Sequence, residues 1–156
     1  MDESNMCHYM IDLETLGTKP NSVILTIGIV QFDFIGNAFP IMHKGIDLGS
    51  CLEKGLQIDS DTFNWWLRQP KDAFNDVLYF GDKGTLTDVL EQVAYRIQSE
   101  LVVDTTYVWS HGSSFDIVLL ENAYRVIGRK PPWKYSHIRD TRTLFDVANY
   151  KYVAKG

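Results

Sequence analysis

The sequence predicts an α/β domain with a sheet flanked by helices. Three observations carry this reading. Three strand-like segments follow one another near the start, helical periodicity takes over from residue 61, and a strand followed by a helix reappears over 105–128. With 156 residues, 45% of them hydrophobic, the chain can close one core, so a single domain over residues 1–156 is the expected unit.

Residues 7–12 and 22–33 (SVILTIGIVQFD) are rich in β-branched and apolar side chains. Between them Gly17, Lys19, Pro20 and Asn21 supply a turn, which makes the two a strand pair. The stretch GNAFPIMHKGIDL opens on a Gly36-Asn37 turn and reads as a third strand, whose Pro40 suits a sheet edge. Three strands in close succession imply an antiparallel start. DTFNWWLRQP reads as a helix, capped at Ser60 or Asp61 and stopped at Pro70. Residues 85–100 set Leu86, Val89, Leu90, Val93 and Ile97 on one helical face, with Thr85 or Thr87 as the cap. TTYVWS at 105–110 is a short buried strand, and residues 113–128 form a helix ended by Gly128. A Pro-rich loop then leads to a last helix near 140–149, and the chain holds no repeat, low-complexity tract or linker.

Bulk properties narrow the function classes. A formal net charge of −5 lacks the basic excess usual in phosphate binders, but its distribution is uneven. Residues 1–116 hold 7 basic and 17 acidic side chains, whereas residues 117–156 hold 8 and 3. Such a split allows a basic surface beside an acidic site. Cys7 and Cys51 lie far apart and match no metal spacing, which points to a reducing cytoplasm. The opening MDESNMCH lacks the basic start and apolar core of a signal peptide, and no apolar run reaches about 18 residues. A soluble protein with no membrane partner is expected.

The chemistry is concentrated in HYMIDLETLGT, residues 8–18. On a strand, Asp12 and Glu14 are two apart and point to the same face, so their carboxylates can converge. Like charges side by side are unfavourable unless a cation lies between them, and hard divalent ions favour oxygen ligands. Tyr9, Met10, Ile11 and Leu13 mark the strand as buried rather than as a solvated edge. The second piece is HGSSFD, which sets Asp116 in the first turn of a helix, where the helix end favours an acid.

Together these pieces resemble the DEDD superfamily of proofreading-type 3'-5' exonucleases, in its DEDDh-like branch. The first motif of that superfamily matches Asp12-Leu13-Glu14-Thr15 with the Gly17 turn and the strand after it; the second matches Phe115-Asp116. The chain looks closest to phage and prophage exonucleases related to exodeoxyribonuclease VIII. They share IDLETLGT, a W-W-x-x-Q segment (here Trp65 to Gln69) and an R-D-x-R-T segment (here Arg139 to Thr143). These motifs, in the right order, span residues 8–145. The resemblance implies a ribonuclease-H-like mixed sheet, antiparallel in its first three strands and then parallel. It also implies hydrolysis of phosphodiester bonds from the 3' end of single-stranded DNA or RNA by two Mg²⁺ or Mn²⁺ ions roughly 4 Å apart. Asp12, Glu14 and Asp116 would be the catalytic metal ligands. Relatives often pair, so a homodimer is expected.

Substrate contacts are expected at Thr15, at Leu16 and Gly17 through their backbone, and at Trp66, Arg139 and Arg142. Of Trp65 and Trp66, about 100° apart on a helix, one belongs in the core and the other nearer the substrate. Arg139 and Arg142, on one side if helical, either grip phosphate or pair with Asp140, Asp146 or Glu121.

The sequence departs from the family at the third motif, His-x4-Asp or Tyr-x3-Asp, which is absent from residues 117–156. His111 and Asp116 have that spacing, but Asp116 already serves the second motif and His111 reads as a buried hydrogen-bonding residue. The expectation is a domain that lacks its C-terminal helix; the alternative is a non-catalytic nucleic-acid-binding or interaction module on the same fold. With two or three ligands in place, calorimetric titration with Mg²⁺ or Mn²⁺ should show one weakly bound ion and scarcely a second. Two tight sites would overturn this.

Overall fold

A computed structural model describes residues 7–98 and 106–148. A six-stranded mixed sheet carries the site. Strand β1 (Cys7–Thr15) is antiparallel to β2 (Ile24–Phe32), and β2 to β3 (Ala38–Ile46). Helices α1 (Leu48–Glu53), α2 (Ser60–Leu67) and α3 (Ala73–Leu78) follow, then the two-residue strand β4 (Lys83–Gly84) and α4 (Leu86–Gln98). Strand β5 (Thr106–Ser110) runs parallel to β1 and leads into α5 (Asp116–Val126). Strand β6 (Ile138–Asp140), parallel to β5, passes straight into α6 (Thr141–Val147). The order across the sheet is β4-β3-β2-β1-β5-β6, so the antiparallel start and later parallel strands stand as expected.

The two faces of the sheet differ because side chains alternate along a strand. Tyr9, Ile11 and Leu13 of β1, Ile27 and Ile29 of β2 and Val108 of β5 are buried in one core. Leu86, Val89, Leu90, Val93 and Ile97 of α4 join them, as do Ile117, Leu120, Ala123 and Tyr124 of α5. A buried hydrogen bond from Tyr124 Oη to the Leu90 carbonyl (2.7 Å) ties α5 to α4. Met10, Val30, Phe32 and Trp109 belong to the other face and line an open apolar groove with Leu144 and Phe145 of α6.

Several expected boundaries shift. β1 continues past residue 12 to Thr15, because its alternation is maintained opposite β2. Asp59, not Ser60 or Asp61, caps α2, its carboxylate accepting from the Thr62 amide at 3.2 Å. Thr85 is the residue that serves the start of α4, accepting from the Asp88 amide. α5 begins three residues later than the pattern suggests, at Asp116, and Gly128 takes the left-handed backbone (φ 73°) just beyond it. Pro40 lies where β4 does not cover β3, beside a register shift between Ile29 and Val30 that accommodates the missing donor. Residue 105 and the outer ends of the expected helices at 99–100 and 149 lie outside the described residues.

The turn after β1 is packed tightly. A Cβ on Gly17 would lie 2.2 Å from Ser22 Oγ and 2.8 Å from Ser22 Cβ, while Ser22 Oγ itself donates to the Lys19 carbonyl at 2.6 Å. Gly17→Ala must therefore spread the turn. Urea unfolding should show a loss of about 1–3 kcal/mol, the usual range for overpacking.

Candidate active site

Asp12 and Glu14 stand on the side of β1 opposite Ile11 and Leu13, which the core holds in place. Antiparallel pairing sets Asp12 beside Gly28 and Glu14 beside Thr26, so the sheet determines which way both carboxylates point. Because β5 is parallel to β1, both strands end at the same edge of the sheet, and α5 starts there with Asp116. Asp116 is 5% exposed, Glu14 half-buried, and Asp12 open to solvent.

Electrostatics join the three acids. Burial first and the negative charge of Asp12 second raise the Asp116 pKa to about 6, against the Leu13 amide and Arg142, which act in the opposite direction. Glu14 is raised by burial and then by Asp12. Asp12 is raised by the surrounding protein in spite of its opening to solvent. Such a set is unfavourable by itself and suits a hard cation by its donor chemistry. Among the described residues no three His, Cys, Asp or Glu side chains converge closely enough to hold an ion unaided. The residues therefore suit a divalent cation in kind, without forming a finished cage.

Beside Glu14 a groove of about 530 Å³ runs between the end of β1 and α2. Thr15, Gly17, Thr18, Trp65, Trp66 and Arg68 are in its wall. Thr15 Oγ1 donates to the Gly17 carbonyl (2.8 Å), and the Thr15 carbonyl accepts from Trp66 Nε1 (2.8 Å). Trp66 is thus a structural post, 6% exposed and stacked on Phe74, and Trp65, 48% exposed, is the indole offered to the groove. Both indoles line the groove, Trp66 from the core side and Trp65 with the more open face. Leu16 withdraws: its side chain is 1% exposed, its amide bonds Val23 and its carbonyl accepts from Asp59.

Arg142 and Arg139 part company. The Arg142 guanidinium lies against Gly112, close enough to act on Asp116. Arg139 instead lies over the Tyr107 ring at 4.8 Å and donates to the Ser136 and Ile138 carbonyls. Tyr107 pairs with His8, four residues before Asp12 and so about 13 Å along the strand. Arg139 is therefore not brought to the acids. Among the described residues neither arginine forms an ion pair with Asp140, Asp146 or Glu121.

Asp140, which the sequence reading left out of the site, organises it. Its carboxylate accepts from the Ser113 amide (2.8 Å), Ser113 Oγ (3.2 Å), the Gly112 amide (3.3 Å) and the Arg142 amide (2.9 Å). Partial burial pushes its pKa up, but these bonds outweigh it and hold the carboxyl below its ordinary value. The signal available beforehand was an Asp immediately before a helix, the N-cap pattern. His111 Nδ1 meets Thr141 Oγ1 at 2.9 Å, in keeping with a hydrogen-bonding rather than a free histidine.

The family profile for the 3'-5' exoribonuclease Rv2179c-like domain matches residues 7–155. The chain belongs to this family. That places it within the wider group of DEDD 3'-5' exonucleases. No curated protein sequence matches it. Solved structures of exonuclease I share the fold. The E. coli enzyme in complex with a dT13 oligonucleotide superposes with a TM-score of 0.67 at 12% identity, over 92% of this chain and 30% of that one. Product-bound exonuclease I gives 0.63 at 14% identity over 92% and 31%, and the apo enzyme 0.64 at 13% over 92% and 30%. The chain thus spans about a third of the length of these exonucleases.

An acid whose folded pKa is raised holds its proton longer in the folded state, so stability is highest below the unfolded value near 3.8 and falls as pH rises to about 6. In metal-free buffer, Asp116→Asn should flatten that decline. Urea unfolding should find it more stable than the parent by roughly 1–3 kcal/mol at pH 7.5 and little changed at pH 4.

Proposed function

We propose that this chain is a metal-dependent 3'-5' exonuclease acting on single-stranded nucleic acid, RNA first. The observation that carries the reading is the meeting of Asp12, Glu14 and Asp116 at one sheet edge within a domain that matches the family over residues 7–155. Support for RNA is the family's description as exoribonuclease; the dT13 complex of exonuclease I supports binding of a single strand by this fold. The sequence segments around Trp65-Trp66 and Arg139-Asp140 add kinship to phage exonucleases of the exodeoxyribonuclease VIII type. A cytoplasmic setting and a homodimer belong to the same reading.

Asp12, Glu14 and Asp116 would hold Mg²⁺ or Mn²⁺, which when bound supplies activation of water and charge relief at the leaving 3' oxygen. The chain's own residues do the rest. The groove beside Glu14 has room for a terminal nucleotide, with Trp65 as a stacking face and the Thr15–Gly17 turn as a floor. Arg142 faces the acids with positive charge and steadies a phosphate drawn to them. Asp140 keeps the 112–113 loop, and with it the start of α5, in register with β6.

A second reading, a non-catalytic binding module, draws on the incomplete convergence of ligands among the described residues. A 5'-labelled RNA strand incubated with Mn²⁺ separates the two. An exonuclease gives a ladder shortening from the 3' end, stops at a blocked 3' terminus, and loses at least about a hundredfold in rate with Asp12→Asn or Asp116→Asn. Binding without any ladder would establish the module, and internal fragments an endonuclease.

A further inference from the structure

Gly17 and Thr18 line the groove, and the residues that follow them, 19–22, line a second, polar pocket of about 300 Å³. Lys19, Asn21, Gln57, Asn122 and Arg125 line it, and Asp59 belongs to the walls of both cavities, so the two are neighbours. Its polar side chains are linked in sequence. Asn21 Nδ2 donates to the Gly55 carbonyl at 2.9 Å, and Asn122 Nδ2 donates to Asn21 Oδ1 at 3.2 Å. Arg125 in turn donates to Asn122 Oδ1. Asn122 is 8% exposed, so a buried amide orients an exposed guanidinium and leaves its other N–H groups for a ligand.

Lys19 adds a second cation at the rim, and neither it nor Arg125 forms an ion pair among the described residues. The acid in the wall, Asp59, is already engaged: its carboxylate accepts from the Thr62 amide and from Thr62 Oγ1 at the start of α2. The chemistry of the pocket is therefore that of an anion site rather than a cation site.

We propose that this pocket binds a backbone phosphate of the substrate strand, upstream of the 3' end being cut, with Arg125 and Lys19 as its anchors. The inference rests on the nuclease reading and assigns the same protein a strand-holding subsite. Asp116 and Arg125 stand at the two ends of one helix, nine residues apart, about 14 Å along its axis. At about 3.4 Å per stacked nucleotide, that places the subsite roughly four nucleotides from the scissile bond. A dinucleotide ends before the pocket; a longer strand reaches it. A guanidinium oriented by Asn122 at a set distance from the acids serves to hold a strand in place as its end is trimmed.

The test compares the parent with Lys19→Ala/Arg125→Ala and with Arg125→Lys, exposed positions outside the acid centre. Binding of a 5'-labelled single strand of about ten nucleotides is followed by fluorescence anisotropy in metal-free buffer at several salt concentrations, and hydrolysis of long strands and dinucleotides in Mn²⁺. The double variant should bind the long strand about tenfold or more weakly, with its salt slope reduced by about 0.7 per lost contact. Its KM for long strands should rise at unchanged kcat, dinucleotide hydrolysis should stay as in the parent, and Arg125→Lys should retain the salt slope. Parent-like binding by the double variant overturns the subsite while leaving the nuclease intact. An equal loss on dinucleotides also overturns it, since the effect would then lie at the acids. A parent chain that neither binds nor cuts any single strand sinks the nuclease reading, and the subsite with it.

Discussion

The strict alternation of β1 is the constraint on which the rest of the structure depends. Tyr9, Ile11 and Leu13 enter the core on one side, so the residues between and after them, Asp12 and Glu14, have only the other side to occupy. A slip of one residue would bury two carboxylates and expose three large apolar groups, a penalty far beyond what a domain of this size can absorb. Pairing on both flanks, antiparallel with β2 and parallel with β5, removes any freedom to slip. The parallel neighbour has a second effect. It brings the carboxyl ends of two strands to a common edge, and the crossover after β5 starts its helix near there, with its first-turn acid within electrostatic reach of Asp12.

What gathers at that edge is electrostatically uneven. Burial raises the pKa values of all three acids and the charge of Asp12 adds to the rise at Glu14 and Asp116, while Arg142 on one flank and Arg68 in the groove wall supply positive charge nearby. The sheet core supplies the rigidity that keeps the acids together against their repulsion. The ends of two helices, the start of α6 and the C-cap of α2, supply the cations. An acidic sequence therefore keeps positive charge beside its acids, since the local arrangement and not the total charge sets the field at this edge.

Much of this was legible in the sequence where the signal is periodic and long. The strand bearing Asp12 and Glu14 shows an apolar run with paired acids, and α4 shows five apolar positions at helical spacing. Elements that depend on their neighbours left no such mark. Six residues make under two turns, so α1 and α3 exist through packing against the rest and carry no periodicity of their own. The three residues of β6 are a strand only because β5 offers an open edge. Arg139 and Arg142 looked like one helical face, but Asp140 ends the strand and caps the helix between them, so one arginine leaves along the sheet and the other along α6. The Trp pair showed that the two rings must diverge, not which one the core would take; that choice was made by the Thr15 carbonyl, a partner 51 residues away.

The segment from α1 to α3 has a character distinct from the sheet it adjoins. Its helices are 6, 8 and 6 residues long, too short to persist alone, and α3 has no buried residue. Two tethers fasten it to the end of β1: Trp66 on the Thr15 carbonyl and the Asp59 amide on the Leu16 carbonyl. Of the three helices, α2 is also the outer wall of the groove. Amide protons of α3, which buries no residue, would exchange with solvent by local opening before those of β1 and β2, so this segment can yield while the acidic edge stays fixed.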